Sequence, residues 1–165
     1  MISLTAKVPR ECPPAELADF VALVLTGGEV ARDGLEDRVR RAQILLFLHR
    51  EGELVGIAAL KKPDPGYRAD TFAKAGATCE PEHFRLELGW VFVKPTARRT
   101  GLSHRLVNAA TAHAGSTRVF ATSRTDNLGM HAALLGASFV RHGNEYASNR
   151  GIHRLVLFLY GSPKP

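Results

Sequence analysis

The chain has few of the residues that mark disulfide-rich, metal-binding or membrane proteins. Its only two cysteines, Cys12 and Cys79, form no metal-binding or redox motif, so free thiols in a reducing compartment are expected. No apolar run approaches the roughly 20 residues that a membrane span needs, and the first residues lack the apolar core of a signal peptide. These absences predict a cytoplasmic protein with no membrane partner.

Two well-known phosphate-binding motifs are also missing. The sequence has no Gly-x-x-x-x-Gly-Lys-Ser/Thr, which argues against a P-loop NTPase. It has no Gly-x-Gly-x-x-Gly after a strand, which argues against a dinucleotide-binding Rossmann unit. The seven histidines are scattered, with no pair at metal-ligand spacing, so no metal is expected.

The composition is that of an ordinary globular protein with a basic surface. Of the 165 residues, 45% are hydrophobic and 23% charged, and one domain is expected over residues 1–160, with 161–165 as a frayed tail. The formal charge of +6 and the pI near 9.7 would attract phosphates, nucleic acid or another polyanion. A charge that serves only solubility is the remaining alternative.

Apolar periodicity predicts an α/β (α+β) fold with a mixed, mostly antiparallel sheet of six to seven strands and about four helices. Parallel pairing is required only where a helix crosses over, between the strands that begin at Arg85 and Arg118. The predicted strands are 2–7, 43–49, 53–61, 85–93, 118–122, 139–141 and 153–160, and the predicted helices are 15–25, 35–41, 101–114 and 127–135.

The segment 63–84 has little periodicity apart from a helical turn around 69–75. It contains three prolines and two glycines. Connections of this length are uncommon in compact domains and are often functional. We therefore expect a substrate-binding loop here.

The junction after the strand that ends at Val93 carries the strongest functional signal. A strand, a short basic loop and a helix start present free backbone N–H groups and a positive helix dipole to an anion. Helix starts usually favour acidic residues, so a cluster of cations there is unfavourable unless an anion binds. A phosphate site is therefore predicted, with solvated surface arginines as the alternative. The cluster comprises Lys94, Arg98, Arg99 and Arg105.

Glu87 is a charged residue on an otherwise apolar strand. Strict alternation would place it on one face with Gly89, Val91 and Val93, and would place Leu86, Leu88, Trp90 and Phe92 on the other, with Trp90 in the core. Burial would raise the pKa of Glu87 and make it a better proton acceptor. The alternative is a glutamate at a sheet edge, solvated or paired with Arg85 or Arg118.

The hexapeptide Arg98-Arg99-Thr100-Gly101-Leu102-Ser103 resembles the central signature of the GNAT superfamily of acetyl-CoA-dependent N-acetyltransferases. That signature, Arg/Gln-x-x-Gly-x-Gly/Ala, lies between the fourth strand and the third helix of the family. Ser103 departs from it but is small enough for close backbone approach. Further along, Asn127-x-x-Met130 resembles the start of the family's fourth helix, and Ser138-Phe139 stands where the family has Gly-Phe.

The resemblance implies a GNAT-like fold and direct transfer of an acetyl group from acetyl-CoA to a primary amine. It implies that the fourth strand bulges near Val91 or Val93 and parts from the fifth, leaving N–H groups for the acyl carbonyl and room for pantetheine. Several members carry a catalytic glutamate at the position of Glu87, which makes it the candidate general base. The predicted cofactor-binding residues are Val91, Phe92, Val93, Arg98, Arg99, Thr100, Gly101, Leu102, Ser103, Ser123, Asn127 and Met130.

The general acid is the open part of this expectation. Many members place a tyrosine on the fourth helix to protonate the departing thiolate, but the corresponding residue here is Leu134. Tyr146, Ser123, His131 or water could replace it. Tyr146 is the candidate catalytic residue, with packing or substrate contact as its alternative role, and His131 is expected to be solvated.

The sequence is compatible with three functions. The first is acetylation of a small-molecule or protein amine. The second is a nucleic-acid-directed acyltransferase, acting on aminoacyl-tRNA or a base, and the third is a catalytically silent CoA-binding module, suggested by Leu134. A homodimer could form through the exposed last strand of the sheet. The basic C-terminal residues that suggest the second function are Arg141, His142, Arg150, His153 and Arg154.

Overall fold

The computed structural model describes residues 1–28 and 30–161; positions 162–165 of the predicted tail lie outside this part. The described chain contains seven strands, five α-helices and three short 3-10 turns. No helix in these two ranges is long and apolar enough to cross a membrane. The elements are β1 (Ile2–Lys7), α1 (Pro14–Thr26), α2 (Leu35–Arg40), β2 (Ile44–Arg50), β3 (Glu53–Lys61), α3 (Pro65–Lys74), β4 (Leu86–Val93), α4 (Leu102–Ala114), β5 (Val119–Arg124), α5 (Leu128–Gly136), β6 (Val140–Ala147) and β7 (Arg154–Tyr160).

All seven strands form one sheet in the order β1-β2-β3-β4-β5-β7-β6. Every neighbouring pair is antiparallel except β4 and β5, which are parallel and joined by α4. The predicted mostly antiparallel α/β fold is confirmed, with its parallel pair where the crossover required one. The last strand in the sequence, β7, lies inside the sheet, so the edges available to a second copy are β1 and β6.

Apolar side chains cover both faces of the sheet. Along β2, Leu46 and Leu48 pack with the cluster under α4 and α5, while Leu45 and Phe47 pack with the cluster under α1 and α2. This alternation is the period-two pattern of a strand buried on both faces. A third cluster, centred on Phe120, holds α3 against β5 and β7.

Helix α3 occupies the first half of the segment 63–84, where the sequence predicted a loop with one helical turn. Its first turn is capped by Asp64, whose side chain accepts the N–H of Tyr67 at 3.1 Å, and Pro65 takes the first helical position. The helix buries only Thr71 and Phe72. It therefore lacks the apolar stripe by which an amphipathic helix is recognised in a sequence.

Two later elements also differ from expectation. Strand β6 extends to Ala147 because it bends at Gly143, whose φ is +75°, and the next N–H donates to the carbonyl of Ala75 at 2.8 Å. A Cβ at Gly143 would collide with that carbonyl oxygen, so only glycine fits. Asn127, predicted as the first residue of a helix over 127–135, is instead the cap of α5, and its side chain accepts the N–H of Met130 at 3.2 Å.

Candidate functional site

A β-bulge interrupts the central strand β4. In the ladder with β3, Ile57 pairs with Phe92 and Ala59 pairs with Gly89, so β4 contains one extra residue in this interval. Trp90 lies within it, with a φ of +53°. A bulge is therefore present where the sequence resemblance implied one.

The bulge also reverses the predicted side-chain directions. Leu88 and Val93 pack on the α4 face, whereas Trp90 and Phe92 pack on the α1 face. The expected alternation, which put Trp90 beside Leu88 and Glu87 beside Val93, is wrong because the extra residue shifts the pleat by one. Trp90 is also not a core residue, since it is only half-buried and lines a cleft.

Strands β4 and β5 part shortly after they begin. Their parallel ladder holds only two pairs, Leu86 with Val119 and Glu87 with Phe120. Beyond these pairs both strands continue with a gap between them, so their facing backbone edges have no ladder partner within the described chain. Such a gap can accept an extended, amide-bearing chain by hydrogen bonding to either strand edge.

The loop after β4 presents a row of backbone N–H groups. Arg99 and Gly101 have positive φ values of +65° and +77°. Among residues 1–28 and 30–161, no protein group accepts the N–H groups of positions 99–103. Successive N–H groups around left-handed residues form an anion-binding concavity, and the N-terminus of α4 adds its dipole.

The two loop arginines have different surroundings. The Nε of Arg98 donates to the carbonyl of Val93 at 2.9 Å, and its guanidinium lies 5.5 Å from the centre of the Phe92 ring. Arg99 is exposed and has no ion pair in the described part of the chain. Arg98 therefore braces the loop against β4, while Arg99 is free to reach a bound anion.

Three other loop residues have clear positions. The hydroxyl of Thr100 donates to the carbonyl of Ala97 at 2.8 Å, which closes the loop on itself. Leu102 is buried and anchors α4 in the core, and Ser103 is half-buried at the cleft wall. The loop is therefore fixed by its own side chains, and its backbone N–H groups remain for a ligand.

Glu87 is the buried carboxylate of the cleft, with only 4% of the residue exposed. Its Oε2 accepts the hydroxyl of Tyr67 at 2.8 Å, and its Oε1 lies 3.4 Å from the Nζ of Lys61. The alternative of an edge glutamate paired with Arg85 or Arg118 is wrong, because β4 is central and the cationic partner is a lysine on β3.

Sequence reasoning missed both partners of Glu87. Burial of the hydroxyl and the negative charge of Glu87 raise the pKa of Tyr67, so at neutral pH it stays a neutral donor. The Asp64-Pro65 cap was the signal that could have placed Tyr67 in a helix. Lys61 offered no signal, since a lysine that ends a strand is normally solvated.

Of the candidate acids, Tyr146 and Ser123 lie at the cleft. Tyr146 is 8% exposed in the Phe120 cluster, and burial followed by the charges of Glu87 and Asp70 raises its pKa. The hydroxyl of Ser123 makes only a long 3.4 Å contact to a carbonyl, so it is able to turn toward a ligand.

His131 is not the solvated residue that the sequence suggested. Its Nε2 lies 2.8 Å from the carbonyl of Arg124, and its ring centre lies 5.1 Å from that of Phe158. It therefore serves packing on the inner side of α5 and does not line the cleft. Leu134, which stands at the tyrosine position of the family pattern, is buried in the core.

One cleft of about 2450 Å³ joins these features. It extends from the loop at 98–103, past the gap between β4 and β5, to Lys74 and Asn149. It brings together every predicted site residue except Thr100, including Asn127 and Met130 at the start of α5. The arrangement offers an anion site, a slot for an extended chain and a buried carboxylate along one path.

The comparisons with known proteins agree with this geometry. A model described as the acetyltransferase (GNAT) family matches residues 16–139. The comparison with curated protein sequences finds no match. Several solved structures superpose over nearly the whole chain.

Three of these structures show the range of similarity. An acyl-CoA N-acyltransferase from Pseudomonas aeruginosa has a TM-score of 0.65 at 18% identity, with 96% of this chain and 99% of that chain covered. A GNAT-family acetyltransferase from Streptococcus agalactiae has a TM-score of 0.71 at 12% identity, covering 98% and 96%. An N-acetyltransferase from Staphylococcus aureus has a TM-score of 0.67 at 15% identity, covering 97% of each. At sequence identities this low, the similarity to these structures shows a shared fold only.

Proposed function

Because the chain belongs to the GNAT family of acetyltransferases, we propose that it acts in the cytoplasm and transfers an acetyl group from acetyl-CoA to a primary amine. The observation that carries this proposal is the gap between β4 and β5, which opens beside both the N–H loop and buried Glu87. Acetyl-CoA, when bound, supplies an acyl group activated as a thioester.

The residues of the cleft fit such a donor. The free N–H groups of 99–103 and the side chain of Arg99 would hold the pyrophosphate, as charge-assisted hydrogen bonds to an anion are short and strong. The unpaired edges of β4 and β5 would hold the amides of pantetheine, between Val91 on one side and Ser123 on the other. Met130 would flank its thiol end.

Glu87 would remove a proton from the acceptor ammonium, directly or through water. The hydrogen bond from Tyr67 fixes the carboxylate in one orientation, which makes Tyr67 a positioning residue. Backbone N–H groups beside the bulge would stabilise the charge that develops on the acyl oxygen. Water or Tyr146 would protonate the departing sulfur.

The first test is thermal unfolding with acetyl-CoA at tens of micromolar. A ligand at 100 times its Kd adds about 2.7 kcal/mol to the free energy of unfolding. For a chain of this length that corresponds to a rise in Tm of roughly 5–10 °C. NADH, which also carries a pyrophosphate, is the control and should give no comparable rise.

No shift with acetyl-CoA would contradict the proposal. Release of free thiol with a panel of primary amines then separates an enzyme from a silent CoA-binding module. A shift without turnover on any amine would favour the silent module.

The loop itself is tested by Gly101→Val. A β-branched residue at a φ of +77° is strained by about 1–2 kcal/mol, and relief of that strain would turn the N–H groups away from the ligand. We expect the Kd for acetyl-CoA, measured by titration calorimetry, to rise about tenfold, which corresponds to about 1.4 kcal/mol.

The matched control for this change is Gly52→Val. Gly52 also has a positive φ, +81°, and apart from its two chain neighbours no residue has an atom within 4 Å of the place where its Cβ would stand. It lies in the turn between β2 and β3, outside the cleft. Both variants should lose similar stability. Equal acetyl-CoA affinity in the two variants would show that the loop does not hold the donor.

A nucleic-acid-directed acyltransferase is the second candidate. Arg10, Arg41, Lys62 and Arg150 line the cleft without an ion-pair partner in the described chain. Arg141 and Arg154, from the predicted C-terminal patch, both pair with Glu145. Binding of tRNA with a steep decrease in log affinity against log salt would favour this candidate. Weak binding with a shallow slope would leave the small-molecule or protein amine.

A further inference from the structure

The side chain of Lys61 lies in the cleft next to Glu87, the candidate base. Lys61 ends β3 and pairs in the ladder with Glu87. Its stem crosses Gly89 so closely that a Cβ there would lie 2.7 Å from the Cδ of Lys61. The Nζ lies 3.4 Å from Oε1 of Glu87 and 4.5 Å from the centre of the Trp90 ring.

These contacts form a site for a primary ammonium. An aromatic face and a carboxylate both attract a cation, and the attraction is stronger where water is partly excluded. Only 24% of the Lys61 side chain is exposed. The ammonium lies over the residue before the bulge, next to the candidate base and to the place where β4 and β5 part.

We propose that Lys61 is an internal acceptor, whose Nζ receives the acetyl group of acetyl-CoA bound in the same cleft. This inference rests on the proposed function. The Nζ gives one proton to Glu87 and attacks the thioester carbonyl carbon, so that a C–N bond forms as the C–S bond breaks. Of the two protons that Nζ loses, one ends on the CoA thiol and the other reaches solvent.

The reaction has two physical consequences that can be measured. An attacking group held in the same molecule reacts with a rate constant that does not depend on protein concentration. Acetylation also removes the charge of Lys61, and with it the attraction to Glu87 and to the Trp90 ring. Trp90 is the only tryptophan in the chain, so its fluorescence reports this change directly.

The test is incubation of the full chain with acetyl-CoA and no added amine, followed by intact-mass measurement and peptide mapping. We expect one acetyl group per chain on Lys61, with a change in Trp90 fluorescence at the same rate. Lys61→Arg keeps the cation and should remain unlabelled. Glu87→Gln should slow the labelling by roughly 100-fold, the order of a general-base contribution.

Lys7→Gln is the matched control. Lys7 is similarly part-exposed and also pairs with a glutamate, but it lies outside the cleft, so this variant should be labelled like the native chain. In the native chain, labelling of Lys7 as fast as Lys61 would indicate chemical acetylation from solution and overturn the proposal, because Lys7 lies outside the cleft.

Failure of this inference can be distinguished from failure of the proposed function. If acetyl-CoA raises the Tm and amines release thiol while Lys61 stays unmodified, the internal acceptor is excluded and the acetyltransferase stands. If acetyl-CoA gives no rise in Tm and no label, both are excluded.

Discussion

Replacing Glu87 by Gln should lower kcat for acetyl transfer by roughly 10²–10⁴-fold, the range of a general base. The amide has the same size as the carboxyl, and its oxygen can still accept the hydroxyl of Tyr67. The change therefore removes basicity and charge from the cleft while preserving packing. The measurement is the rate of thiol release at saturating acetyl-CoA and amine.

The pH dependence separates a base from a positioning group. An alkyl ammonium with a pKa of about 10.4 loses its proton to solvent as the pH rises. The difference in kcat between the native chain and Glu87→Gln should therefore become smaller toward that pH. A reduction in kcat that is the same at every pH would assign Glu87 a positioning role. Turnover equal to the native rate at every pH would exclude it from the chemistry.

Glu53→Gln is the control for this experiment. Glu53 is an exposed glutamate on β3 whose ion pair with Lys94, at 3.0 Å, lies outside the cleft. Exposed ion pairs contribute about 0–1 kcal/mol to stability, so the control should keep native turnover and nearly native stability. A similar loss of turnover in Glu87→Gln and Glu53→Gln would point to a nonspecific effect of lost negative charge.

The sequence predicted the strands and the parallel crossover well because these follow from local apolar patterns. Strand β3 was predicted with its observed bounds, from Glu53 to Lys61. The side-chain directions of β4 were not predictable from alternation, since one extra residue at the bulge shifts the pattern for Trp90 and Phe92. The bulge depends on pairing with β3, which is a nonlocal property.

The surroundings of Glu87 were predicted less well than the loop at 98–103. The loop at 98–103 is a contiguous motif, so its residues could be named from the sequence. Tyr67 and Lys61 meet Glu87 from separate elements, 20 and 26 positions away in the chain, and only the ladder and the docking of α3 bring them together. Polar contacts of this kind produce no periodic pattern in the amino-acid sequence.

That docking depends on Phe120, and Phe120→Ala should lower the free energy of unfolding by about 3–5 kcal/mol, as for other buried Phe→Ala changes. Phe120 is fully buried on β5, and its ring packs edge-on against Phe72 of α3 at 5.3 Å. For a chain of this length the change should lower the Tm on the order of 10 °C. Val140→Ala, on an edge strand and 60% exposed, should change stability by less than about 0.5 kcal/mol.

A milder variant, Phe120→Leu, connects this packing to the site. It should cost about 1–1.5 kcal/mol and remain folded at assay temperature. The ring of Tyr67 lies 6.5 Å from that of Phe120, so loosening α3 loosens the hydrogen bond that orients Glu87. We expect kcat to fall while the acetyl-CoA-induced rise in Tm persists, because the loop at 98–103 belongs to a different element. A loss of acetyl-CoA binding with unchanged kcat would contradict this, because it would mean that α3 supports the donor site and not the base.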